Sequence, residues 1–195
     1  MKTIRSFRLV RWLPPLLVAS FAFAAGPPGT PAPDDPACTA DDRKFMARAF
    51  ELARRSLARG DMPIGAVLVK DGKIICEYGN SINTDSDLTP HGETGLISRA
   101  SRVLTKSEWE GTTLYTSLEP CIMCCGSIHW AGIKTVVYGG TTRLPTGALY
   151  GPERLRIREV YERNGWDTKV RGPLMDDEEF KIRAEVATRA AAAKN

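Results

Sequence analysis

Two short stretches hold the residues most able to do chemistry together. His91 and Glu93 stand two apart in "TPHGET", with Pro90 before them and Gly92 between. Further on, "EPCIMCC" places Cys121 and Cys124 in a C-x-x-C pair. Residues two apart do not share a helix face. His91 and Glu93 can therefore serve one site only from the end of a helix, where both reach inward. A C-x-x-C pair at a helix start lets both sulfurs meet one ion. The partial positive charge of a helix N-terminus also favours the thiolate. Two thiolates and one imidazole suit Zn2+. Three protein ligands leave the fourth tetrahedral position to water, the arrangement of a catalytic zinc rather than a structural one. Zinc lowers the pKa of such a water to ~7. Glu93, beside it but not ligating, is placed to take its proton and return it to a substrate.

Each of these residues also has a plainer reading. A lone C-x-x-C in an exported chain is more often a disulfide or a redox pair. A lone Glu near a helix start is usually solvated. The two stretches together favour a metal centre. His129, the other histidine, reads as an ordinary helix residue. Cys125 points away from Cys124 and reads as packing, Cys76 as strand core, and Cys38 as a free or paired thiol before the first helix.

The elements that would position these residues follow from capping and periodicity. Thr39 caps a helix with Asp41 and Asp42 in its first turn. Phe45, Met46, Ala49, Leu52, Ala53 and Leu57 form its apolar stripe, and Gly60 ends it. "IGAVLVKDGKIICEYGN" reads as two strands joined at Asp71-Gly72. A helix runs from His91 to about Val103. "GTTLYTSL" is a strand, Pro120 opens a second site helix, and "KTVVYGG" is a further strand. Residues 152–163 and 176–191 read as helices, with a short strand in "WDTKVRG". A hairpin followed by alternating helices and strands implies helices layered on a mixed sheet.

The N-terminus carries Lys2, Arg5, Arg8 and Arg11 without an acid, then the apolar "LPPLLVASFAFA". This is the pattern of a signal peptide over residues 1–24, too short an apolar run for a membrane span. A Pro/Gly-rich linker over 25–38 and one domain over 39–195 follow. The expected location is periplasmic or secreted, with no membrane attachment after cleavage. Those four basic residues account for the whole formal charge of +4. The remaining chain is electrically neutral, which argues against a nucleic-acid partner. In "ERLRIREVYER" the interleaved Glu153, Glu159 and Glu162 make a salt-bridged solvated face the favoured reading.

The combination His91-Gly92-Glu93 with Pro120-Cys121-x-x-Cys124 resembles the zinc deaminases of nucleobases and nucleosides. The likeness is good from Thr39 to Gly140 and weaker beyond. It implies an α/β fold, a three-layer αβα sandwich with a five-stranded mixed sheet, and zinc between two helix N-termini. It implies hydrolytic release of ammonia from a small nucleobase or nucleoside, with Glu93 catalytic and His91, Cys121 and Cys124 as ligands. Asn80 falls where nucleobase and tRNA adenosine deaminases carry a substrate-binding Asn. Its plainer reading is a turn residue. The resemblance also implies a homodimer. Substrate features are mixed: "HGE" is similar to fungal-type cytosine deaminases, "GSIHWAGI" to guanine deaminases, yet "GGTTRLPTG" lacks the acid guanine deaminases carry there. Deamination of adenosine in tRNA is the alternative.

Overall fold

The computed structural model describes residues 31–141 and 155–192. The expected signal peptide over 1–24, the first part of the expected linker and most of "GGTTRLPTG" lie outside the described residues.

The first helix, α1 (Ala40–Arg59), starts where its capping sequence dictates. Thr39 accepts from the Asp42 amide while the Asp42 carboxylate accepts from the Thr39 amide, and Gly60 closes the helix in the left-handed conformation. Strands β1 (Gly65–Lys70) and β2 (Lys73–Gly79) form the hairpin. Both turn residues, Asp71 and Gly72, have positive φ, as a type I′ turn demands. Helix α2 (Gly92–Ala100) follows. A short helix α3 (Lys106–Trp109), closed by its own Thr105–Glu108 capping box, was not expected from the sequence. Strand β3 (Thr113–Leu118), helix α4 (Ile122–Trp130) and strand β4 (Thr135–Gly140) come next, then α5 (Ile157–Asn164), β5 (Lys169–Arg171) and α6 (Asp176–Ala192). Pro120 lies one residue before the cap of α4 rather than at its first helical position, because Cys121 itself is the cap.

The sheet is five-stranded and mixed, in the order β2-β1-β3-β4-β5. β1 is antiparallel to β2 and β3, while β3–β4 and β4–β5 are parallel. Strand alternation divides the interior into two apolar clusters. Ala66, Leu68, Leu114, Val136 and Tyr138 face Leu96, Cys125, Ile128 and the α5 residues Ile157, Val160 and Tyr161. Val67, Val69, Tyr115 and Val137 face Met46, Ala49, Phe50 and Ala53 of α1, with Ile182 of α6. The result is the expected αβα layering. α1 lies close on β1 because Gly65 has no side chain; a Cβ there would overlap the Ala49 carbonyl oxygen and the Ala53 amide nitrogen. Among the described residues no helix is long and apolar enough to cross a membrane.

Two expectations change. Residues 34 and 35, read as part of a disordered linker, are fixed by hydrogen bonds. Asp34 accepts from the Met175 amide at 2.7 Å and Asp35 from the Gly172 amide at 2.9 Å. Composition alone did not reveal that these two carboxylates have partners far along the chain. Arg156 and Arg158, expected on a salt-bridged face with nearby glutamates, also find partners far along the chain. Arg156 reaches Glu119 at 2.7 Å and Arg158 reaches Asp35 at 3.0 Å.

A buried polar knot ties α1 to β3 and β5. Asp42 accepts from the Tyr115 hydroxyl at 2.6 Å and from Arg171 at 2.7 and 3.1 Å. Burial pushes the Asp42 carboxyl up, but the bonds from Tyr115, Thr39 and Arg171 outweigh it and hold its pKa below the ordinary value. A depressed folded-state pKa means that the stabilisation is present above the unfolded value of ~3.9 and is lost as pH falls through the folded one. We expect Asp42→Asn to destabilise the fold by ~1–3 kcal/mol at neutral pH. In urea titrations its deficit against the unaltered chain should shrink below about pH 4. A deficit independent of pH would contradict this.

Candidate metal and catalytic site

The start of β1 and the ends of β2, β3 and β4 lie along one edge of the sheet, as the pairs Gly65–Gly79 and Leu118–Gly140 show. Both site helices begin there. His91 caps α2 and Cys121 caps α4, each with extended backbone and neither with a side-chain capping bond. A cap residue normally turns its side chain back onto its own helix. Here the two side chains meet each other across the gap between the helices.

His91 Nδ1 lies 3.8 Å from Cys121 Sγ and 3.6 Å from Cys124 Sγ, and the two sulfurs are 3.5 Å apart. A tetrahedral zinc with Zn–S of about 2.3 Å and Zn–N of about 2.0 Å requires S–S and S–N separations of roughly 3.5–3.8 Å. The three donor atoms fit one zinc ion, and they are the only such group among the described residues. All five cysteines are unpaired, so the disulfide reading of the C-x-x-C pair does not hold here. Cys76 is buried with its thiol toward the Leu96 carbonyl, as strand core. His129 stacks on Trp166 with ring centroids 4.0 Å apart, away from the ligand set.

The electrostatics suit a cation. The contact between the Cys121 and Cys124 sulfurs, with help from His91, brings the Cys121 thiol down to about 4 against the cost of burial. The same contact and burial push Cys124 up. A metal ion binding both sulfurs would displace the thiol protons.

Glu93 sits inside the first turn of α2, 2% exposed. Its carboxylate accepts from the Thr116 hydroxyl at 3.1 Å on one oxygen and faces the Cys124 thiol at 3.4 Å on the other. Burial first, and the neighbouring Cys121 thiolate second, raise its pKa. A carboxyl raised in this way exchanges a proton more readily near neutral pH than an exposed one. Thr116 was not singled out in the sequence. A polar residue between Leu114 and Leu118 on the face that packs under α2 was the available signal.

Asn80 is fully buried at the end of the hairpin. Its backbone amide donates to the Ile64 carbonyl at 2.8 Å, and that same carbonyl lies against Gly92. The adjacent Ser81 amide donates to the Pro90 carbonyl at 3.2 Å. These bonds hold Asn80 beside the His91 turn. Its side-chain oxygen accepts from the Ile82 amide at 3.2 Å, as a turn residue's would. Its Nδ2, however, is buried and has no hydrogen-bond partner among the described residues. The turn reading and the substrate reading use different ends of one amide.

The family model of the cytidine and deoxycytidylate deaminase zinc-binding region matches residues 39–140. The guanine deaminase of Bacillus subtilis is 45% identical over 95 residues, covering 48% of this chain and 61% of that one. The tRNA-specific adenosine deaminase of Agrobacterium fabrum is 40% identical over 100 residues, covering 51% and 66%. The chain thus spans just under two thirds of the length of these curated relatives. A solved guanine deaminase from Nitrosomonas europaea superposes with a TM-score of 0.58 over 72% of this chain and 78% of that one, at 22% identity, which is a likeness of fold.

Proposed function

Since the chain belongs to the cytidine and deoxycytidylate deaminase zinc-binding family, we propose that it is a hydrolytic deaminase of a small nucleobase or nucleoside. The observation that carries this reading is the pairing of a metal-ligand triad with a buried, non-ligating Glu93 and a buried amide donor at Asn80 that has no protein partner. Leaving such a donor unpaired costs ~1–3 kcal/mol. A ring nitrogen or carbonyl of a bound base would satisfy it.

Zinc, when held by His91, Cys121 and Cys124, would supply Lewis acidity that makes water a nucleophile near neutral pH. Glu93 takes one proton from the attacking water and passes it to a ring nitrogen, then carries the second to the departing amine. One water is consumed, the exocyclic C–N bond breaks, and ammonia leaves. Thr116 fixes one carboxylate oxygen of Glu93, so the other is aimed at the reacting atoms. Asn80 Nδ2 holds the base edge, and its second amide function, already fixed by Ile82, keeps that donor from rotating away.

The relatives divide between free-base and tRNA substrates, and deamination of adenosine in tRNA is the second reading. A small substrate is favoured by charge. Arg156 and Arg158, which could have met phosphate, are engaged by Glu119 and Asp35. The decisive assay measures ammonia release by the zinc-loaded chain from cytosine, guanine, adenine and their nucleosides, beside adenosine in an anticodon stem-loop. Turnover of a free base or nucleoside is expected. Glu93→Gln should keep its zinc and lose ~10²–10⁴-fold in rate. Turnover of the stem-loop alone, falling steeply with salt, would reverse the substrate choice. Full activity in Glu93→Gln would assign the proton to another residue.

We infer also that two copies pair through α4. Ile122, Met123 and Trp130 stand exposed on one side of that helix, with Trp130 88% exposed, beside Ile97 and Ala131 in a shallow groove. Contiguous exposed apolar surface of this kind marks an interaction face. Sedimentation should give a dimer for the unaltered chain and a shift toward monomer for Trp130→Glu. A monomeric unaltered chain would contradict this.

A further inference from the structure

The turn that carries Cys121 out of β3 is held by residues that are not themselves metal-ligand candidates. Glu119, two residues before the ligand, is 5% exposed. Its backbone amide donates to the Gly140 carbonyl at 2.9 Å, fastening the turn to the end of β4. One carboxylate oxygen accepts from the Ile157 amide at 3.1 Å and the other from Arg156 Nη1 at 2.7 Å. Ile157 is the first residue of α5, where helix amides lack partners within the helix and a negative charge is favoured. The next residue along the turn is held as well. The Cys125 thiol, buried in the core, faces the Pro120 carbonyl at 3.8 Å.

A buried carboxylate is costly to desolvate, and an apolar side chain of similar size often stabilises a fold as well or better. A charge in this position does something an apolar residue does not: it sets direction and distance. α5 lies outside the region matched by the family model, which ends at residue 140. The bonds of Glu119 therefore link that later segment to the ligand turn.

We propose that Glu119 is a positioning residue for the metal centre. Clamped by Arg156 and the start of α5, it fixes the Glu119–Cys121 turn so that Cys121 Sγ stands at the spacing from Cys124 and His91 that zinc requires, and so sets how tightly the metal is held. This rests on the zinc reading of the site, and the test separates the two.

The full chain is compared with Glu119→Gln, Arg156→Gln and the double variant. Zinc affinity is read by competition with a chromophoric chelator, at a temperature where circular dichroism shows each folded. Cobalt is substituted for zinc to read the ligand field by absorption. Glu119→Gln is expected to weaken zinc binding by ~10–100-fold, the usual effect of removing a residue that orients a ligand. It should also shift the cobalt spectrum. Arg156→Gln should act in the same direction, and the double variant should be no weaker than Glu119→Gln alone, since both break one clamp. Zinc affinity within twofold of the unaltered chain in both single variants, with an unmoved cobalt spectrum, would overturn the proposal. If Glu119→Gln does not fold, Arg156→Gln decides by the same criterion, because it leaves the Ile157 bond in place. If the unaltered chain itself binds no zinc, the metal centre and the clamp fall together.

Discussion

Everything about this site depends on two helix N-termini meeting at one edge of a sheet. An N-terminus brings partial positive charge and unpaired amides. Such an end favours thiolate and disfavours a second cation, so it selects a site in which negative sulfur balances the metal. His91 and Cys121 occupy the cap positions themselves, and neither spends its side chain on capping. The fold thereby gives up two ordinary helix caps, each worth about 1 kcal/mol, and gains two ligands whose backbone is fixed by helix on one side and strand on the other.

The rest of the architecture supports that edge. The strand order places the ends of β2, β3 and β4 together. The close approach at Gly65 keeps α1 against the sheet beneath it. Strand alternation puts Thr116 under α2, where it holds Glu93, while its neighbour Tyr115 points to the opposite face and holds Asp42. A single register of β3 thus orients the Glu93 carboxyl on one face and locks α1 on the other. A one-residue slip would lose both.

Much of this was legible in the sequence, for reasons that can be stated residue by residue. The capping box at Thr39 and the Asp71-Gly72 turn are local signals, and the backbone obeyed them. His91, Glu93, Cys121 and Cys124 were readable because metal chemistry tolerates few residue types and spacings. What could not be read was long-range. Glu119 bonding to Ile157, Asp35 to Gly172 and the burial of Asn80 Nδ2 join segments far apart in the chain. The partners of the charged face along α5 were hidden for the same reason. Its local carboxylates were the visible partners, yet Glu119 and Asp35 took Arg156 and Arg158. The short helix α3 escaped notice because its capping box follows no apolar period.

Zinc at this site would be bound by two sulfurs and one imidazole, with one position left open to a light atom. X-ray absorption at the zinc edge of the purified chain reads that shell. Two sulfur neighbours at about 2.3 Å and one imidazole with a further oxygen or nitrogen at about 2.0–2.1 Å are expected. A shell of four sulfurs, or of oxygens alone, would contradict this.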